Sequence, residues 1–278
     1  MARQAVIIGC GYTGRRVARL LIARRWHVTA TTRSTEDLGD LRDRGATVVA
    51  FDAAGNAPAP FSVKGASVLL SIPTLRTEGG LDEPTPGLVA AFDGIPSHVT
   101  YLSTTGVYGA VRVVDATTPP TPETERQHLR MLAEEAIVAL PCPSLVLRPA
   151  AIYGPGRGVH AAMRTGRFKL PENGDRYVSR IHVEDLARVV ATAMDRRLAG
   201  AFPVADELPA SSRDVARLCS QLLGLDIPET VADTDLSETR RADRRVDGGA
   251  VLQSLGLRLR YPTYHEGVPA CLAEERDS

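Results

Sequence analysis

Ala5-Val6-Ile7-Ile8-Gly9-Cys10-Gly11-Tyr12-Thr13-Gly14-Arg15-Arg16-Val17 is the stretch from which the rest of the chain is read. Its first four residues are apolar and three are β-branched, the composition of a short buried strand. Gly9, Gly11 and Gly14 then stand at G-x-G-x-x-G spacing. The first glycine permits a tight turn off the strand. The second lets backbone approach a diphosphate with no Cβ in the way, and the third lets a helix pack close on the strand. Val17, Leu20 and Leu21 follow at i, i+3 and i+4 with arginines between them, so an amphipathic helix opens at the turn. Its unpaired N–H groups and positive dipole end would face the phosphates. Such turns also occur without a ligand. A second strand that ends about twenty residues later gives the βαβ context that favours binding.

Working outward, short apolar runs at 5–8, 28–32, 48–51, 68–72, 99–103 and 145–147 alternate with helical patterns. The alternation predicts an α/β fold, a doubly wound parallel sheet of Rossmann type with helices on both faces. Past Arg148-Pro149 the pattern loosens: Gly154, Pro155, Gly156, Gly158 and Gly166 mark loops and short helices. Helical stretches at 183–194 and 211–223 follow, with a strand at 201–204 between them. The expected organisation is a dinucleotide-binding domain over 1–150 and a small C-terminal substrate lobe over 151–278, interleaved with the last sheet elements. Ligands of open α/β folds bind at the carboxyl edge of the sheet, where such a lobe would lie.

The chain has 278 residues, enough for a full-sized core, and is 44% apolar and 24% charged, the balance of a globular protein. Lys plus Arg equals Asp plus Glu at 33 each, so no net field draws it to nucleic acid or an acidic membrane face. Arg15, Arg16, Arg19, Arg24 and Arg25 read as the solvated face of the first helix. Cys10, Cys142, Cys219 and Cys271 lie far apart, without a C-x-x-C pair or a histidine at ligand spacing, so neither zinc nor a disulfide framework is expected. The residues before the first strand are too few for a signal peptide, and no run of about eighteen apolar residues occurs. A cytoplasmic protein with a small-molecule substrate, no nucleic acid and no membrane is expected, with a homodimer left open.

An NAD site would place Asp or Glu at the end of the second strand to accept from the ribose 2′-hydroxyl. This chain has Thr31-Thr32-Arg33-Ser34 there. Arg33 can clamp a 2′-phosphate and Thr32 or Ser34 can donate to it, so NADP(H) is the expected cofactor. Glu36 and Asp37 are close enough to leave NAD(H) open. The cofactor-binding set is therefore Gly9, Gly11, Tyr12, Thr13, Gly14, Thr32 and Arg33.

Four ordered segments resemble the extended short-chain dehydrogenase/reductase superfamily, in its NAD-dependent epimerase/dehydratase branch and the atypical members within it. They are the glycine turn, Tyr101-Leu102-Ser103-Thr104-Thr105-Gly106-Val107-Tyr108-Gly109, Leu147-Arg148-Pro149-Ala150-Ala151-Ile152-Tyr153-Gly154-Pro155-Gly156, and Arg180-Ile181-His182-Val183-Glu184-Asp185-Leu186-Ala187. The resemblance spans residues 1 to about 205, and Phe202-Pro203-Val204-Ala205-Asp206 with Leu255-Gly256 and Tyr261-Pro262 carries it close to the C-terminus. It implies that Asp52, after the third strand, meets the adenine amino group; a turn-forming aspartate explains that residue almost as well.

In that family a Ser or Thr orients the substrate oxygen, a Tyr exchanges a proton with it, and a Lys four residues beyond lowers the Tyr pKa and holds the ribose. Thr104 matches the Ser/Thr position. On the following helix Arg126 stands where Tyr belongs and Arg130 where Lys belongs. Arginine stays protonated in proteins, so Arg126 cannot replace the proton carrier. The resemblance leaves Arg130 able to hold ribose or phosphate. Replacement acids would come from Tyr108, Tyr153 or His182, of which the tyrosines read better as loop-shaping residues and His182 as a helix-start residue. The candidate catalytic set is Thr104, Tyr108 and Arg130. Two functions follow: an atypical NAD(P)-dependent oxidoreductase or epimerase on a small polar or sugar-like substrate, or an NADP(H)-binding sensor or scaffold without turnover.

Overall fold

Residues 3–55, 58–172, 176–232, 234 and 243–277 are described by the computed structural model. Seven strands form the central sheet: β1 (Gln4–Ile8), β2 (His27–Thr32), β3 (Thr47–Ala50), β4 (Ser67–Leu70), β5 (His98–Leu102), β6 (Ser144–Pro149) and β7 (Gly200–Val204). Their order is β7-β6-β5-β4-β1-β2-β3. The pairs from β3 across to β6 are parallel, with Ala5 opposite both Val28 and Ser67 and Val99 opposite both Val68 and Ser144. The chain runs outward from β1 to β3, then returns to β4 on the other side. That reversal leaves a crevice at the carboxyl ends of β1 and β4, the place where open α/β sheets take ligands.

β4 and β5 are buried along their whole length and β1 all but its first residue, as strands covered on both faces must be. Ile8, Val68, Leu70, Val99, Tyr101 and Ile137 form the centre of this core. Burial of each such aliphatic side chain is worth about 1.5–3 kcal/mol. Helix α1 (Tyr12–Ala23) turns Val17, Ala18 and Leu21 inward. A short α2 (Gly39–Asp43) and α3 (Thr85–Ala90) precede α4 (Glu125–Val138), which buries Ala133 and Ile137 together with two charged residues, Arg130 and Glu134. α5 (Val183–Arg196) comes after β6 and starts at the residue immediately following the paired segment Arg180–His182.

The chain divides into two compact units whose segments interleave. The first is Met1–Val107, Pro122–Arg148 and Leu186–Ala201; the second is Tyr108–Thr121, Pro149–Asp185 and Phe202–Ser278. Residues 108–121 and 186–201 thus fall on the far side of a single cut at 150. The second unit has its own core, with Val215 and Cys219 of α6 (Ser212–Leu223) and Tyr264, Val268 and Cys271 of α7 (Tyr264–Arg276). α6 is stopped by Gly224, which takes the left-handed conformation at φ 64° that a Cβ disfavours. No helix among the described residues is long and apolar enough to cross a membrane.

Candidate functional site

The glycine turn has three different reasons for its three glycines. Gly9 has φ +83°, and a Cβ there would lie 2.6 Å from the carbonyl oxygen of Ser71. A Cβ on Gly14 would lie 2.9 Å from the carbonyl oxygen of Gly9 and 3.2 Å from Ile7 Cγ2. Both are excluded by the protein itself. Gly11 differs: nothing lies within 4 Å of its missing Cβ, so the bare backbone there borders open space. The turn is held from β2, where Thr31 Oγ1 accepts from Gly9 N at 3.3 Å and Thr31 O accepts from Cys10 N at 2.8 Å.

α1 begins on Gly11 with no side chain capping it and no acidic residue in its first turn. An amino end without a side-chain cap is the kind of helix terminus that takes an anion from outside. By contrast, Ser211 Oγ caps α6 by accepting from Asp214 N, and Thr263 Oγ1 caps α7 by accepting from His265 N. Thr13 is buried in the first turn of α1, and the ring of Tyr12 is covered by the Arg16 guanidinium at 4.3 Å. Cys10 is buried too, and burial pushes its thiol up to about 12, so it is a packing residue and not a nucleophile.

Thr32 is half-buried at the end of β2 and Arg33 is exposed immediately after it. Arg33 makes no hydrogen bond or ion pair among the described residues. The carboxylates that follow do not reach it: Glu36 and Asp37 are exposed, and Asp40 accepts from Arg15 Nε at 2.9 Å and from Arg19 Nε at 2.9 Å. Asp52 forms a turn, with Oδ1 accepting from Ala54 N at 3.1 Å. Beside that turn a cavity of about 630 Å³ is lined by Phe51, Ala53, Phe61, Leu88 and Phe92, with Phe51 and Phe61 edge to face at 5.2 Å.

Thr104 lies two residues beyond β5, half-buried, and its Oγ1 accepts from Gly106 N at 3.0 Å. The hydroxyl proton has no acceptor among the described residues. Arg130 is buried inside α4, and its guanidinium is committed to the protein: Nη1 donates to Ile72 O at 2.9 Å and to Glu83 Oε2 at 3.0 Å, and Nη2 donates to Leu102 O. Its charge also stacks over the Tyr101 ring at 4.7 Å. Glu83 in turn accepts from Thr74 Oγ1 at 2.9 Å and Thr85 Oγ1 at 2.6 Å. One turn further along α4, Glu134 accepts from Ser103 Oγ at 2.5 Å and from Arg148 Nη2 at 2.7 Å. Sequence reasoning missed Glu83 and Glu134. Glu134 was within reach, four residues after Arg130 on one helix face; nothing in the sequence links Glu83 to either.

In the second unit Tyr108 is fully buried, and its carbonyl accepts from Thr121 Oγ1 at 2.9 Å. His182 is buried between Tyr153 and Tyr261, at ring separations of 5.1 and 4.1 Å. Its Nδ1 accepts from Glu184 N at 3.2 Å, so the neutral ring carries its proton on Nε2, which faces Cys271 Sγ at 3.3 Å. Asp185 Oδ1 and Oδ2 accept from Arg260 N and Tyr261 N, each at 2.8 Å, and clamp that loop. Burial pushes the Tyr153 hydroxyl well above its ordinary range. A cavity of about 450 Å³ is lined by Tyr153, Arg157, His160, Lys169 and Arg180.

No protein-family model matches the chain. A conserved protein of unknown function from Silicibacter pomeroyi is 32% identical, over 98% of this chain and 99% of that one, with a TM-score of 0.79. Protein YeeZ of Escherichia coli K12 is 25% identical over 94% of this chain and 97% of its own length. The human epimerase family protein SDR39U1, solved with NADPH, shares the fold at a TM-score of 0.75, covering 99% of each chain at 19% identity.

Proposed function

We propose, since this chain belongs to one family with the Silicibacter pomeroyi protein and has the NAD(P)-binding epimerase/dehydratase fold of the short-chain dehydrogenase/reductases, that it is an NADP(H)-dependent oxidoreductase or epimerase. The observation that carries the reading is the open space at Gly11 between two glycines that the protein itself forbids to grow. Gly11 and the uncapped first turn of α1, with Tyr12 and Thr13, would hold the diphosphate. The cavity beside Asp52 has the size and aromatic lining for an adenine. Arg33, with Thr32, would take the 2′-phosphate. The nicotinamide would supply the hydride; this chain's residues would orient it against the substrate and exclude water.

Thr104 is suited to orient a substrate oxygen, because its hydroxyl proton is uncommitted while Gly106 N holds the oxygen in place. Arg130 would act on the site through the ends of β4 and β5 rather than on a ligand. A small polar or sugar-like substrate is supported by the basic and aromatic lining of the second unit's cavity. The test is the ratio of NADPH to NADH dissociation constants in wild type and Arg33→Ala. The ratio should rise at least tenfold, as expected for loss of a charge-assisted phosphate contact; an unchanged ratio removes the NADP assignment.

A second reading, an NADP(H)-binding sensor or scaffold, is favoured by the committed guanidinium of Arg130 and by arginine at both positions of the usual Tyr-x-x-x-Lys pair. The two readings part on steady turnover of NADPH with a broad panel of carbonyl compounds, which the first requires and the second excludes.

A further inference from the structure

α4 carries two arginines one turn apart on the same face, and they are in opposite states. Arg130 is saturated by two carbonyls and Glu83. Arg126 is half-buried, and its side chain's hydrogen bond among the described residues is a long one, Nη1 to Thr74 O at 3.4 Å. It makes no ion pair among the described residues. Glu123 and Glu125 flank it in sequence, but both are exposed and neither is paired with it. A half-buried guanidinium without an ion pair keeps donors with which to take up an anion.

Its location states where that partner would come from. Arg130 ties this face of α4 to Ile72, two residues past β4, and to Leu102, the last residue of β5. Arg126 is therefore held at the ligand edge of the sheet, as is Thr104, two residues past β5. It is also the second residue of a 14-residue helix, so the positive end of the helix dipole adds to its own charge. A guanidinium presents a planar fork of donors that matches the two oxygens of a carboxylate.

We infer that Arg126 binds a carboxylate of the substrate, and that the substrate class is therefore an organic acid. Arg126 is a binding residue in this account: it stays protonated and moves no proton. The inference rests on the reading of the first unit as a cofactor site, and its test keeps the two apart.

The full chain, saturated with NADP⁺, is titrated calorimetrically with oxamate and with phenylglyoxylate, each beside its neutral amide. The anions should bind and the amides should not. Arg126→Gln should weaken the anions roughly ten- to a hundredfold, the range for losing hydrogen bonds to a charged group, while Arg126→Lys, which keeps the charge and loses the fork, falls between. NADPH titration of Arg126→Gln should match wild type and so shows the fold and cofactor site intact. Binding of neither anion to the loaded wild type, equal binding by Arg126→Gln, or amides as tight as the acids would each overturn the inference. Loss of NADPH binding by wild type would instead strike the cofactor reading.

Discussion

Arg130 Nη1 and Glu83 Oε2 lie 3.0 Å apart in the interior of the first unit, with side chains 6% and 1% exposed. The pair occupies the helix position at which the resembled family places its lysine. It joins α4 to the segment between β4 and α3, and so sets the face that the helix offers to the carboxyl edge of the sheet.

Removing one partner of such a pair leaves a buried charge alone. Glu83→Ala should therefore cost about 3–5 kcal/mol in urea unfolding, whereas the double change Glu83→Leu with Arg130→Met should recover most of that loss. A Glu83→Ala cost below about 1 kcal/mol would mean the pair is not closed in solution.

Asp206 gives the protein a pH dependence of unusual sign. It is 3% exposed, and its carboxylate oxygens make no hydrogen bond of good geometry. Burial pushes its pKa up to about 7 against the partial relief given by Arg180. The folded chain then holds a proton that the unfolded chain has already lost, so stability should fall between about pH 4 and pH 7, by at most about 1.4 kcal/mol per unit. Asp206→Asn should flatten that slope. An identical pH–stability profile in the variant would exclude the assignment.

The four cysteines should divide one against three. Cys142 is half-buried, while Cys10, Cys219 and Cys271 are buried. Burial holds the thiols of Cys10 and Cys219 near 12 and 11. A thiol reagent at pH 8 should titrate one group quickly and the other three only in urea. Rapid reaction of a second thiol in the native protein would contradict the packing of the glycine turn, of α6 or of α7.

The sequence made the sheet, the glycine turn and α1 legible because each rests on a local rule. Alternating apolar runs give strands, and Gly9, Gly11 and Gly14 have fixed mechanical roles wherever that spacing follows a strand. The observed strand at His27–Thr32 begins one residue before the expected 28–32, and Val183–Arg196 ends two residues beyond 183–194, differences of the kind helix and strand ends show. The fate of Arg130 was not legible. Its partner Glu83 is 47 residues away on a loop with no periodic pattern, and only the folded sheet brings the two together. The same holds for the partners of Glu134, since Ser103 and Arg148 stand 31 and 14 residues from it. The contrast between Arg126 and Arg130 follows from this. Their residue type is the same, and the carboxylate that reaches one and misses the other is remote in sequence.

Calorimetric titration of NADPH into wild type and Gly11→Val tests the central claim most directly. Gly11 has φ −84° and open space around it, so a valine there should fold with an unchanged melting temperature. Wild type should bind NADPH, and the variant should lose roughly a hundredfold or more, because a side chain would stand where the diphosphate must meet the backbone. No heat with either nicotinamide dinucleotide, or equal affinity in the variant, would contradict the account.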